Sequence, residues 1–498
     1  MKRKIAIALS SFLLATSLCG CKGKDEVEIP VFADSEGVIF TAYSGPTVEN
    51  WSGGSKNVST LTDEHFQKFV DAGFSRLIAI HEGARVRGTT REYTDANGNL
   101  VYDTEALIED NIRRAEEDAL AVLELAEKYN VKYYVRDWAF YDMANTTTWK
   151  LWQAYDTREK YEELLRQLFS EDNKYIHSSA YCGNFGRDEP GVDQFERLKW
   201  QIEIYDEIME ERGVDGEFLL NLLPSYGGMT SYGGVTYNQY IDRYFEELAP
   251  LLGYACYDFY PFKGTADGSS QMKTSYASNL AVMANKCKEG DYELRTFVQT
   301  GGDFTGLRDL TSIGDFRLQV YMNLAFGSRQ MTYYEYGTFK SQSEGEFGLI
   351  NLQDGTYNYT YDMAKTVNNE VHAFEDAYMS FKWDNVMCFS ALPAGKINPK
   401  FKEVPYSLKE HPRIANVDYE EDTLIGTFKD AEGRDAFMLV NYNDPFFNQN
   451  NEVTIQFKDA KALLMYRFGQ EEVVYLPKSG KYTFKLYPGE GRFIIPLS

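Results

Sequence analysis

Apolar and polar residues follow two regimes along this chain, and the change between them near Lys382 divides it. In the first regime, short apolar runs open at Val38, Phe74, Val131, Tyr181, Phe218, Tyr254, Leu294 and Gln330, each closed by turn or polar residues. Runs of that length read as strands buried on both faces. Between them, apolar residues recur every three or four positions over residues 62–72, 104–129, 158–170, 192–212, 237–248, 272–287, 316–326 and 361–379, which predicts helices. Thr62 before Asp63-Glu64 supplies an N-cap and Gly73 a stop for the first of them. Eight such repeats predict a (β/α)8 TIM barrel over residues 36–380. A doubly wound open sheet is the alternative, and no GxGxxG or phosphate loop follows the first run to support it. Beyond the divide, residues 422–428, 436–442, 452–457, 472–476 and 481–486 alternate with turn residues and predict an antiparallel β-sandwich over residues 381–498. Two short runs around Asn97-Gly98 predict a hairpin on the barrel rim.

The first residues read as targeting rather than fold. Lys2-Arg3-Lys4 precedes an apolar stretch to Leu18 that is short for a bilayer span, and Leu18-Cys19-Gly20-Cys21 resembles a bacterial lipobox. Residues 1–21 are then a lipoprotein signal with Cys21 as the lipidated residue, and residues 22–35 a polar tether. The expectation is a lipid-anchored protein of the cell envelope, periplasmic or surface-exposed, that meets the membrane through the anchor only.

Charge and composition narrow the partners. A net charge of −24 argues against nucleic acid, which needs a basic face, and a neutral substrate fits better. Most of the 37 Tyr and 32 Phe belong in a core, but rings at strand ends could stack on a sugar while bonding its hydroxyls. The histidines His65, His81, His177, His372 and His411 form no ligand spacing, and Cys182, Cys256, Cys287 and Cys388 read as free thiols. No metal or cofactor is expected.

In a barrel of this kind the strand C-terminal ends share one face, where catalytic side chains gather. Reading each end gives Tyr43; His81 and Glu82; Asp137 and Trp138; Arg187, Asp188 and Glu189; Asn221; Asp258 and Tyr260; Gln299; and Glu335. Nearly all can bond a hydroxyl. Strict alternation sends Asp188 to the face opposite Arg187 and Glu189 unless the strand bends. Pro190 predicts an extended backbone at Glu189.

The motifs Gly186-Arg-Asp-Glu-Pro190, Asn221-Leu-Leu-Pro-Ser-Tyr226, Tyr257-Asp-Phe-Tyr-Pro-Phe262 and Leu324-Ala-Phe-Gly327 resemble those of clan A glycoside hydrolases, particularly family 42 β-galactosidase-type barrels. The resemblance implies hydrolysis of a glycan, with the acid/base Glu ending strand four and a nucleophilic Glu ending strand seven. Glu189 takes the first position, with Asp188 where Asn is usual. The second position holds Gln299, whose amide cannot form a glycosyl ester. Three alternatives stay open: Glu335 supplies the second carboxylate, Asp258 acts as base in an inverting reaction, or the barrel binds a glycan without cleaving it. Tyr43, Glu82, Asp137, Trp138, Arg187, Asp188, Asn221, Tyr260 and Gln299 are then the expected substrate contacts.

Overall fold

The computed structural model describes residues 27–498 apart from 48–49, 53–54, 79–91, 95–99, 103, 138, 141–154, 303–305, 339–347, 393–398 and 402–403. Among the described residues the first regime folds into eight parallel strands: β1 Ile39–Tyr43, β2 Arg76–Ile78, β3 Lys132–Val135, β4 Tyr181–Asp188, β5 Glu217–Asn221, β6 Tyr254–Tyr257, β7 Glu293–Gln299 and β8 Gln330–Tyr334. Each pairs with its sequence neighbours, β1 pairs with β8, and a parallel bridge from Leu222 to Tyr257 links β5 to β6 and completes the ring. The helices between them are α1 Asp63–Asp71, α2 Thr104–Tyr129, α3 Arg158–Leu168, α4 Phe195–Arg212, α5 Tyr237–Glu247, α6 Tyr276–Gly290, α7 Ile313–Ala325 and α8 Tyr359–His372. The TIM barrel is therefore present. Thr62 caps α1 by accepting from the His65 backbone N–H at 3.2 Å. Glu92–Thr94 and Leu100–Tyr102 form an antiparallel hairpin.

Two helix starts differ from the periodicity. Ser270–Met272 pairs with Phe262–Gly264 in a hairpin, so α6 begins at Tyr276 and not at residue 272. Helix α7 starts at Ile313, where the Asp315 carboxylate reaches back and accepts from the Thr311 and Ser312 backbone N–H groups at 2.8 and 3.1 Å.

The barrel interior is filled from the middle down. Phe185, Leu219, Tyr134, Cys256 and Phe297 pack together inside it. Below them Arg295 lies over the Tyr254 ring and pairs with Glu217 and Glu293, while Arg76 donates to Tyr134 Oη at 2.8 Å and Gln330 Oε1 at 3.2 Å. Such paired charges satisfy one another in the strand-starting end and leave the strand-ending side as the open one.

The second regime is a β-sandwich with more strands than the alternation revealed. Besides β11 Thr423–Asp430, β12 Asp435–Asn441, β13 Asn451–Phe457, β15 Gln470–Tyr475 and β16 Lys481–Leu486, it contains β9 Phe381–Phe389, β10 Ile414–Tyr419, β14 Ala462–Arg467 and β17 Gly491–Leu497. One sheet has the order β9-β11-β12-β17-β14-β15 and faces a second of order β10-β13-β16. Strands β14 and β17 escaped the alternation because both of their faces are apolar. Leu464, Tyr466, Phe493 and Ile495 join the barrel's core, while Leu463, Met465 and Ile494 pack on Val453, Ile455 and Phe484 of the second sheet. Helix α7 is consequently buried along almost its whole length between barrel and sandwich.

Gly183 is the tightest point of β4. Its φ is +138°, and a Cβ there would lie 1.9 Å from the Glu217 carbonyl oxygen of β5. Gly183→Ala is expected to cost at least about 2 kcal/mol, through lost β4–β5 pairing, read as a lower urea midpoint. An unchanged midpoint would show that β4 has slack the geometry denies.

Candidate active site

The site is made by a defect in strand β4. Phe185 pairs with Leu219, but the next partners are Arg187 with Leu220 and Asp188 with Asn221, so Gly186 is an extra residue. No side chain larger than hydrogen fits there, since a Cβ would stand 2.1 Å from the Phe218 ring. The bulge resets the alternation: Phe185 and Asp188 both face the barrel axis, while Arg187 turns outward and donates from Nε to Gln194 Oε1 at 3.1 Å. This is the bend that strict alternation lacked.

The expected extended backbone at Glu189 is not found. Its φ is +48°, in the left-handed region, and its N–H donates to the Asn221 carbonyl at 2.9 Å. Proline disfavours the right-handed helical region for the preceding residue, and here the chain leaves that region on the opposite side. The turn brings the Glu189 carboxyl beside Asp258, which follows β6, close enough for each to act on the other's proton.

A polar chain crosses the mouth from these residues. Asn221 Nδ2 donates to Asp258 Oδ1 at 3.3 Å and to Asp188 Oδ1 at 3.0 Å, and Tyr43 Oη donates to Asp188 Oδ2 at 3.1 Å. Asp258 is 5% exposed. Burial, then the charges of Glu189 and Asp188, hold its carboxyl well above the usual carboxylate range, against the hydrogen bond from Asn221. Glu189 itself stands exposed at the rim as a residue, yet the packing around its carboxyl is the largest influence on its proton. That desolvation and the Asp188 charge push it up to about 7, against the hydrogen bond from Asp258. The pair thus retains a proton at neutral pH.

Aromatic rings form the other wall. Tyr260 lies 5.3 Å from Tyr334 and Tyr334 5.2 Å from Tyr43, centroid to centroid. Glu335, just past β8, accepts from Ser44 Oγ at 2.9 Å, and burial pushes its carboxyl up to about 8. Ser44 and Tyr334 are not among the strand-end residues read from the sequence. Ser44 follows Tyr43 directly, and Tyr334 shares the inward parity of Thr332, so each had a signal in the sequence.

Other expected contacts lie elsewhere. Gln299 is fully buried and bonded to backbone: Oε1 accepts from Phe262 N at 3.1 Å, and Nε2 donates to the carbonyls of Gly301 and Arg308 at 3.0 Å and of Phe262 at 3.3 Å. It clamps two loops, and no part of the amide is left to hold a sugar hydroxyl. Asp137 is buried too, accepting from Ala139 N at 2.9 Å and Tyr175 Oη at 3.3 Å. His81, Glu82, Trp138 and Cys21 lie outside the described residues. Cys182, Cys256, Cys287 and Cys388 are free thiols.

No family model and no curated protein matches the chain. Among solved structures it is similar to a β-galactosidase from the psychrophilic Marinomonas ef1, at 12% identity over 69% of this chain and 62% of that one, with a TM-score of 0.44. The chain thus spans under two thirds of that protein's length. It is also similar to a family 5 glycoside hydrolase from Bacteroides vulgatus ATCC 8482, at 12% identity over 93% and 89% of the two chains, TM-score 0.49. A third is the GH51 arabinofuranosidase from Xanthomonas axonopodis pv. citri, at 9% identity over 93% and 96%, TM-score 0.41. The structural neighbours are TIM-barrel glycosidases, and at these identities the likeness is one of fold.

Gln299→Glu tests the clamp. A carboxylate facing the carbonyls that Nε2 now serves is expected to cost about 2–4 kcal/mol, read in urea unfolding, and to create no nucleophile. A variant of parental stability that gains hydrolysis would contradict it. Glu335 gives a pH-dependent outcome. Between about pH 4.5 and 8 the folded chain holds a proton there that the unfolded chain has released, so the group's contribution falls as pH rises through that window. Glu335→Gln, which cannot ionise, is expected to gain melting temperature over the parent progressively across it, and a pH-independent difference would remove burial of Glu335 as the cause.

Proposed function

We propose that this chain is an exported glycoside hydrolase, lipid-anchored to the cell envelope through Cys21, which cleaves a glycosidic bond with Glu189 as proton donor. The observation that carries the reading is the carboxyl cluster at the barrel mouth, where Asn221 Nδ2 ties Asp188 at 3.0 Å to Asp258 at 3.3 Å beside Glu189. A leaving glycosidic oxygen needs a proton as its bond breaks, and a carboxyl pushed up to about 7 keeps one at neutral pH and can still release it. Asp258, its own carboxyl held well above the usual carboxylate range by burial, shares the proton of the pair. A buried carboxyl that favours its protonated form is a poor base, so the inverting-base alternative loses support.

Glu335 remains the candidate second carboxylate, on the aromatic wall. For it to attack or to stabilise positive charge it must be ionised while Glu189 is protonated. With Glu335 at about 8 and Glu189 at about 7, that form is a minority at every pH and is most populated between the two values. Slow turnover on the alkaline side of neutrality follows. A second reading, a surface glycan-binding lipoprotein without turnover, is favoured by the Gln299 clamp, which fills the strand-seven position with an amide committed to backbone.

Hydrolysis of a panel of aryl glycosides and oligosaccharides by parent and Glu189→Gln is the direct test. The acid role predicts a fall in kcat of about 10²- to 10⁴-fold. Its pH profile should peak between about pH 7 and 8, and Asp188→Asn, by removing a charge that raises the Glu189 pKa, should move the acid-side limb, set by the lower of the two values, to lower pH and reduce the peak. Equal turnover in Glu189→Gln would reject the acid, and calorimetric glycan binding with no product after long incubation would select the binder.

A further inference from the structure

A cleft of about 520 Å³ opens at the strand-starting end of the barrel, lined by the residues that begin β6, β7 and β8 and by β9 and β11 of the sandwich. It lies at the end opposite the mouth, and nothing in the reading of Glu189 uses it. Its apolar surface comes from Trp383, Tyr292 and Phe326. Trp383 is fixed from one side: its indole N–H donates to the Ala325 carbonyl at 3.0 Å, and Gly327 is bare where a Cβ would meet Trp383 Cβ at 2.5 Å. The residue is half-buried and lines the cleft, with Lys288 Nζ 5.9 Å from its ring centroid.

The charges around that surface are mostly spent. Lys288 Nζ meets Asp384 Oδ1 at 2.7 Å, Lys382 Nζ meets Asp291 Oδ1 at 3.1 Å, and Glu293 is held by Arg295. Lys429 reaches Asp435 at 3.6 Å. Arg329 differs. Among the described residues its guanidinium has no carboxylate partner and gives one bond, from Nη2 to the Phe381 carbonyl at 3.3 Å. Four cations and three carboxylates line the cleft, a local excess of positive charge on a chain of net charge −24. A planar guanidinium with unspent donors beside an aromatic surface matches a ring that carries a carboxylate.

We infer that this cleft is a second carbohydrate site, taking a sugar acid whose carboxylate pairs with Arg329 and whose ring packs on Trp383. A guanidinium can take a carboxylate through two parallel N–H donors, and a neutral sugar of the same shape would forgo that pairing.

The test uses the full chain carrying Glu189→Gln, so that turnover at the mouth cannot enter, and titrates glucuronate, galacturonate and methyl β-glucoside by calorimetry and saturation-transfer NMR. At least one uronate is expected to bind in the millimolar range and the neutral glucoside about tenfold more weakly or not at all. Adding Arg329→Met should weaken uronate binding by about tenfold or more without lowering the melting temperature. If that variant melts early, Arg329→Lys, which keeps the charge and loses the fork, should still weaken it measurably. No uronate binding up to about 20 mM, binding indifferent to both Arg329 variants, or capture of anionic phosphatidylglycerol vesicles in place of uronate would each overturn the assignment. Failure here leaves the role of Glu189 untouched, since that is read from hydrolysis by the parent.

Discussion

One extra residue in a strand governs the chemistry this barrel can offer. Without the bulge at Gly186, β4 would send Asp188 toward the helices and Glu189 toward the axis on a straight backbone. With it, Asp188 faces the axis, and the left-handed turn at Glu189 folds the second carboxyl over the first toward Asp258. Three acids therefore crowd a mouth where strict alternation would have placed fewer. Their repulsion is met by shared donors. Asn221 bonds both Asp188 and Asp258, so one neutral amide on β5 ties carboxyls from β4 and β6. Proximity of like charges in a desolvated place keeps a proton on the cluster, which is the property an acid catalyst needs.

The wall opposite the acids is anchored from outside the barrel. Gln299 holds the backbone of Phe262 and Arg308, and the Arg308 side chain bonds Asp315 of α7 at 2.6 Å and Asp444 of the sandwich at 3.1 Å. Ser270, in the hairpin with Phe262, donates to Asp444 at 2.6 Å. The loop that carries Tyr260 is thus fastened to the second domain through buried charges that satisfy one another. Such a network contributes less to net stability than to geometry, because removing any member strands the rest. The sandwich, continuous with the barrel's core through α7, acts as the buttress for one side of the mouth.

How much of this the sequence disclosed depended on how many faces each element buries. Barrel strands with both faces apolar stood out as runs, and their order gave the ring. Strands β14 and β17 are equally buried, but in a region read for alternation they were invisible. At the site, residue type at strand ends was enough to gather Tyr43, Asp188, Glu189, Asn221, Asp258 and Tyr260. Direction was not, because one inserted glycine inverts the parity of everything after it. Gln299 and Asp137 stand at strand ends as expected and point into packing, where polarity is used for backbone carbonyls and a tyrosine. A polar strand end announces a hydrogen-bonding duty without saying to whom.

The protonation states add a constraint that composition could not. A retaining pair works best when the acid has the higher pKa and the nucleophile the lower, so that the working form dominates. Here the order is reversed, with Glu335 at about 8 through burial and Glu189 at about 7 despite its charged neighbour. Burial alone sets Glu335 high, with only Ser44 donating against it, whereas a second donor or a nearby cation would bring it down. A bound glycan could supply that donor, since sugar hydroxyls donate to a carboxylate as well as they accept from one. On the proposed reading a bound glycan would help to ionise Glu335, a carboxyl that burial keeps protonated in the empty site. On that same reading a glycan whose hydroxyl cannot reach Glu335 would be held without being cut, so that the two proposed activities would differ in ligand geometry rather than in protein sequence.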